Sequence, residues 1–260
     1  MNKNPLLNFH FQLAETPKTD KPSTLVFIHG LFGDLNNLGM ISRAFATDHN
    51  ILRIDLRNHG QSFHHEEMRL SQMAEDLYQV VEHLNLNNLI VIGHSLGGKT
   101  AMMFAHLFPK LVQKLVIIDI APVRYTSNRH DANFAGLFAV RDAQPENRQQ
   151  AKQVFLKHIA NEGVVQFMLK SFDANSPERF KFNLSGLYKN YANVMDWQDV
   201  FVEKPTLFIK GANSDYMLPA YTAQTVAQFP NAKVKVIANT DHWVHAEKPE
   251  AVIRAIKEFI

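Results

Sequence analysis

Gly93-His94-Ser95-Leu96-Gly97 decides how this chain is read. The apolar run Leu89-Ile90-Val91-Ile92 precedes it and has the length and composition of a short buried strand. From Gly98 onward, apolar residues recur at helical spacing (Ala101, Met102, Phe104, Ala105, Leu107, Phe108) until Pro109 closes the run. Strand, sharp turn and helix form the context in which a serine hydroxyl is lifted clear of the backbone at the edge of a sheet. The flanking glycines have a physical reason. A turn this tight presses neighbouring residues together, and a β-carbon there would clash.

The same grammar extends outward. Phe9, Phe11 and Leu13 alternate with polar residues, as in a half-exposed edge strand. Leu25-Val26-Phe27-Ile28 reads as a buried strand ending in His29-Gly30-Leu31-Phe32-Gly33. A helix is expected over 35–47, a strand over 51–54, a loop over 55–62 and a helix over 71–84. After the elbow helix, a strand over 112–118 ends at Asp119. Strands alternating with helices predict an α/β fold, a mainly parallel sheet covered by helices on both faces. The crossovers are right-handed, so the loops that follow the strands gather at one edge. Any chemistry is expected there.

The pattern changes over 122–201, where segments 133–143, 145–161, 163–171 and 177–190 carry helical spacing and no buried strand is evident. The stretch lies between two strands of the sheet, at the edge where the loops emerge, and reads as a helical cap. The core is then 1–121 and 202–260. It resumes with a strand over 205–210, a helix over 219–229, a strand over 234–237, a loop over 238–242 and a helix over 249–260.

Bulk properties narrow the function. A chain of 260 residues suits one large core with an insertion. With 46% apolar and 20% charged residues, the composition is that of an ordinary soluble protein. A formal charge of +2 without a long basic cluster does not suggest nucleic acid or an anionic membrane as partner. The absence of cysteine excludes disulfides, thiolate metal sites and a cysteine nucleophile. Residues 1–15 lack the unbroken apolar core of a signal peptide, and no run approaches the roughly 18 apolar residues that span a bilayer. A cytoplasmic protein is expected.

A serine hydroxyl is a poor nucleophile, so Ser95 needs a base within hydrogen-bonding reach and a group that orients that base. In this architecture the chain order is serine, acid, histidine. Among thirteen histidines His242 fits best, on the loop between the last strand and the last helix, with His245 as runner-up. His83, His106 and His158 fall in expected helices, and His29 and His94 read as packing beneath the site. Counting three residues past Gly211 reaches Ser214, which has no carboxylate. Asp119 is the preferred acid, because a carboxylate directly after four apolar residues needs a partner if buried. Asp215 is the alternative. Ser214 is expected to hydrogen-bond to the histidine or the acid. The oxyanion donors are expected to be the Leu96 and Leu31 N–H groups, with Phe32 as the alternative.

These stretches, together with Asp55-Leu56-Arg57-Asn58-His59-Gly60-Gln61-Ser62, Asp119-Ile120-Ala121-Pro122 and Asp241-His242-Trp243-Val244-His245-Ala246-Glu247-Lys248-Pro249, resemble the α/β-hydrolase superfamily over nearly the whole chain. The combination His-Gly-Leu-Phe-Gly, Arg-Asn-His-Gly, Gly-His-Ser-Leu-Gly-Gly-Lys and Ile-Asp-Ile-Ala-Pro is similar to the YbfF-type bacterial esterases, cytosolic enzymes with a helical cap. The resemblance implies an acid at Asp119, a serine in the usual acid position at Ser214, and ester or acyl-CoA thioester substrates. The chemistry expected of Ser95 and His242 needs no metal or organic cofactor.

The expected chemistry is a serine esterase or thioesterase working through an acyl-enzyme. The alternatives are a carbon–carbon hydrolase or cofactor-free haloperoxidase on the same scaffold, and a non-catalytic small-molecule receptor. Ser95 stands where dehalogenases and epoxide hydrolases carry aspartate, which argues against both. Phe134, Phe138, Phe155, Phe167 and Phe172 are read as packing, with an acyl channel as the alternative. Lys99 and Arg124 are read as solvated charges, with a phosphate-bearing leaving group as the alternative.

Overall fold

Strands of four to seven residues, the central ones buried on both faces, organise the molecule, and the computed structural model describes it over residues 5–126 and 128–260. The first four residues of the expected core and position 127 of the expected cap lie outside the described residues. Seven strands form one sheet: β1 (Phe9–Gln12), β2 (Thr24–Ile28), β3 (Asn50–Ile54), β4 (Leu89–His94), β5 (Val112–Ile118), β6 (Thr206–Gly211) and β7 (Ala232–Ile237). Their order is β1-β3-β2-β4-β5-β6-β7, with β1 antiparallel to β3 and every other pair parallel.

Successive side chains on the central strands enter different cores, as a period of two requires. Val26, Ile28, Val91, Leu115, Ile117 and Phe208 join one cluster, which helices α2 (Leu70–His83) and α3 (Leu96–Leu107) cover. Leu25, Phe27, Ile90, Ile92, Val116 and Ile209 join the other, under α1 (Gly39–Arg43) and α11 (Pro249–Phe259). This two-sided burial explains why β2 and β4 read as unbroken apolar runs.

Between β5 and β6 the chain forms α4 (Asp131–Ala143), α5 (Arg148–Phe155), α6 (Glu162–Lys170), α7 (Leu184–Lys189) and α8 (Tyr191–Met195). After β6 come α9 (Thr222–Gln228) and α10 (Val244–Glu247).

Three expected helices are shorter than their apolar spacing suggests, and polar side chains end them. The helix expected over 35–47 is only α1, because Asn37 accepts the Asp34 N–H and Asp34 accepts the Asn36 N–H at 2.8 Å, closing a turn before the helix starts. The helix expected over 145–161 starts one residue after Asn147, whose side chain accepts from Gln150 N–H at 3.0 Å. The helix expected over 177–190 does not form as one piece. Phe180 bridges to Phe172, Phe180 and Phe182 stack at 4.9 Å, and Asn183 caps a new start at α7. Among the described residues no helix is long and apolar enough to cross a membrane.

Candidate active site

Ser95 sits between β4 and α3 with φ 53° and ψ −118°, a conformation costly for a residue with a β-carbon. The surroundings hold it there. Its N–H donates to Ile118 O at 3.0 Å. A β-carbon on Gly93 would lie 2.2 Å from Gly97 O, and one on Gly97 would lie 2.2 Å from Ile28 O. Both obstacles are backbone and cannot yield. The two glycines let α3 start against the end of β2, which aims the serine out of the sheet edge.

Asp119 follows β5 directly, with φ 52° and its N–H donated to Ile209 O at 2.8 Å. Its side chain is fully buried and its partners meet the cost of that burial. Gly211 N–H donates to Oδ1 at 2.9 Å, and the Ser214 hydroxyl donates to Oδ2. His242 Nδ1–H donates to the same Oδ2 at 2.8 Å. A carboxylate on Nδ1 leaves Nε2 with its lone pair, and Nε2 accepts the Ser95 hydroxyl at 3.1 Å. Ser95, His242 and Asp119 thus form a continuous relay, with Ser214 behind it. Asp215 takes no part in it: that side chain is 67% exposed and pairs with Arg129 at 2.6 Å.

Two buried histidines sort the loop donors. Leu56 N–H donates to His29 Nε2 at 3.1 Å, so His29 Nδ1–H donates to Gly30 O at 2.7 Å. The carbonyl of the Gly30–Leu31 peptide is thereby held, with its N–H on the opposite side. Phe32 N–H donates to His59 Nε2 at 3.2 Å, and His59 Nδ1–H donates to Arg57 O at 3.0 Å. Phe32 is therefore engaged and is not the alternative donor. The Leu31 and Leu96 N–H groups make no hydrogen bond among the described residues. A β-carbon on Gly30 would sit 3.3 Å from Ser95 Cβ, which places this loop against the elbow. Leu96 opens α3, where the helix dipole adds positive potential.

Burial pushes His59 down to about 3 and lowers His29, so both act as neutral hydrogen-bonding groups. The other ring neighbours of His242 are neutral for the same reason. Burial pushes His130 and His245 down to about 3, and His94 well below the usual histidine range. His94 Nε2–H donates to His242 O at 3.0 Å. His245, the runner-up base, packs tilted against His94 with ring centroids 4.2 Å apart and makes no hydrogen bond to Ser95 Oγ, whose hydroxyl His242 accepts. His29 and His94 pack beneath the site, while His83, His106 and His158 are exposed.

The cavity over Ser95 encloses about 20 Å³, room for roughly one water. Its walls include Leu31, His130, Asn133, Phe167, Met168 and Trp243. His130, Asn133, Phe167 and Met168 all come from the segment between β5 and β6. Of the five phenylalanines weighed as a channel, only Phe167 lines it. Phe134, Phe155 and Phe172 are buried in the core, and Phe138 packs against its edge.

Three residues near the site escaped sequence reasoning: Arg129, His130 and Tyr216. Tyr216 stacks on His242 and Arg129 on Tyr216. No spacing signals contacts between loops this far apart in the chain. Lys99 corrects an expectation. It is 2% exposed, not solvated, and donates to Met195 O at 3.0 Å and Asp196 O at 2.9 Å. Its amino group joins the elbow helix to the end of α8. Arg124 is exposed and paired with Asp196.

The fold and this constellation define an α/β-hydrolase. The chain belongs to that family, whose model, described as alpha/beta hydrolase fold, matches residues 23–249. It is 42% identical to Esterase YbfF of Escherichia coli, over 98% of each chain. It is 55% identical to a Haemophilus influenzae protein named provisionally as an esterase/lipase, over 98% of this chain and 88% of that one. A solved structure titled "Marine microorganism esterase" superposes with a TM-score of 0.90 at 32% identity, covering 98% of this chain and 99% of its own.

Proposed function

We propose that the protein hydrolyses carboxylic esters or acyl-CoA thioesters through an acyl-enzyme on Ser95. One observation carries the reading: the unbroken relay from Ser95 Oγ through His242 to a buried Asp119, at 3.1 and 2.8 Å. His242 takes the Ser95 proton as the hydroxyl attacks the carbonyl carbon. Asp119 holds the imidazole in the tautomer that leaves Nε2 free and stabilises the imidazolium. Ser214 supports the carboxylate. The Leu31 and Leu96 N–H groups receive the oxyanion, and their lack of other partners supports that role. His242 then protonates the alcohol or thiol leaving group, and a water activated by the same ring releases the acid.

The segment over 122–201 acts as a cap. The cavity at Ser95 has room for about one water, and a larger groove of about 330 Å³ adjoins it along Asn37, Phe167, Trp243 and His245, where an acyl chain would lie. The esterase names of the relatives at 42% and 55% identity support ester chemistry. The test is a hydrolysis panel of aryl esters and acyl-CoAs across chain length, with Ser95→Ala as the blank. Turnover is expected in one class or both, falling about 10⁴-fold or more in Ser95→Ala. Full activity in that variant overturns the mechanism.

A further inference from the structure

His242 is held at both nitrogens, but two in-plane hydrogen bonds leave the ring free to tilt about the line that joins them. Its faces settle the tilt. The Tyr216 ring lies nearly parallel against one face, with centroids 3.8 Å apart and planes at 18°. The imidazole fills that side of Tyr216, so the Arg129 guanidinium, 4.5 Å from the same ring centroid, must occupy the other. Three groups thus lie in order: the core's imidazole, the loop's phenol and a cation from the segment between β5 and β6.

The stack is built in. The Tyr125 hydroxyl donates to Tyr216 O at 2.6 Å, and Tyr216 N–H donates to Ser214 Oγ at 3.2 Å. Asp215 holds Arg129 from the solvent side at 2.6 Å. Arg129 Nε is buried with no hydrogen-bond partner among the described residues, so packing on the rings contributes to holding the guanidinium.

We propose that Tyr216 is a positioning residue for His242, and that Arg129 acts on the imidazole through it, so that cap docking tunes the base. This rests on the reading of Ser95 and His242 given above. An aromatic face is negative, and it attracts the imidazolium formed when Ser95 loses its proton. A guanidinium on the far face draws on the same electron density and repels the imidazolium directly. Tyr216 therefore favours the protonated ring and Arg129 opposes it. The other groups facing this pair are Asp119 on Nδ1, the imidazoles of His94, His130 and His245, the phenols of Tyr125 and Tyr191, and the Asp215 carboxylate beside Arg129.

The experiment is the pH dependence of kcat/KM on 4-nitrophenyl acetate for wild type, Tyr216→Leu, Tyr216→Phe and Arg129→Gln, each checked for a native melting transition. Tyr216→Leu keeps apolar cover but loses the π face. It is expected to lose about 3- to 10-fold in kcat/KM, with the acidic limb at lower pH. Tyr216→Phe keeps the ring and is expected to rescue both. Arg129→Gln is expected to move the limb to higher pH, and it carries the test alone if Tyr216→Leu does not fold. Limbs unmoved in an active enzyme, or moved in one direction by both changes, overturn this inference alone. A wild type without Ser95-dependent hydrolysis overturns the functional reading and this inference with it.

Discussion

At the scale of single residues, Asp119 and Asp215 differ more in surroundings than in chemistry. Asp119 is buried with three hydrogen-bond donors around it, one of them His242 Nδ1–H. Asp215 is exposed and spends its charge on Arg129. Replacing Asp119 by Asn puts an amide opposite Nδ1 and favours the tautomer with the proton on Nε2, where Ser95 needs a lone pair. Asp119→Asn is therefore expected to lower kcat about 10⁴-fold. Asp215→Asn leaves the relay intact and is expected to stay within about tenfold of wild type. Steady-state kinetics on one aryl ester decides. A near-normal rate in Asp119→Asn would move the acid elsewhere. Lys99 is another case in which burial sets behaviour, since burial lowers it to about 7. Between that value and the ordinary lysine range near 10.4, the unfolded chain holds a proton that the folded chain has released. Raising the pH through this window therefore adds stability. The urea-derived stability of wild type relative to Lys99→Met is expected to rise from pH 7 to 9, and a flat or falling difference would refute the assignment.

At the scale of elements, the loop after β3 is tied to α2 by charge. Arg57 and Asp76 are each 2% exposed, with bonds of 2.6 Å from Nε and 2.8 Å from Nη2. Removing one partner leaves the other charge buried and unpaired, so Asp76→Asn is expected to cost about 3–5 kcal/mol. Replacing both by apolar residues of similar size, Arg57→Met with Asp76→Leu, is expected to recover much of that loss. Denaturant midpoints of the single and double variants test this, and a double variant no better than the single would contradict it. The strands and the elbow were legible in the sequence because their signals are local. Apolar runs of four residues end at His29, Gly93 and Asp119, and the elbow glycines mark a turn with no room for a β-carbon. Helix ends between β5 and β6 are harder to read. Asn147 and Asn183 start helices by side-chain capping, which apolar spacing does not register. In the site, Ser95, Asp119 and His242 were readable from strand ends and chain order. Tyr216 and Arg129 are not, because ring packing between distant loops depends on how the segment between β5 and β6 lies against the sheet edge.

At the scale of the whole molecule, five histidines lie in or beside the site, His29, His59, His94 and His245 buried and His130 half-buried. Burial lowers all five, with His59, His130 and His245 near 3. An unfolded histidine titrates near 6.5. Above that pH neither state binds these protons, and the histidines leave stability independent of pH. Below it the unfolded chain takes up protons that the folded chain refuses, so stability falls as pH falls. Each such site contributes at most about 1.4 kcal/mol per pH unit, which caps five together at roughly 7 kcal/mol per pH unit. Carboxylates push in the same direction only nearer pH 4, so the interval from pH 6 to 5 isolates the imidazoles. Over that interval the pH dependence of the urea-derived unfolding free energy is expected to report uptake of at least about three protons. Uptake of one proton or fewer would mean that these rings are charged or hydrated in the native state. The neutral tautomers of His29 and His59 would then be lost, and the Phe32 N–H, no longer bound to His59, would compete with Leu31 for the oxyanion role proposed for it.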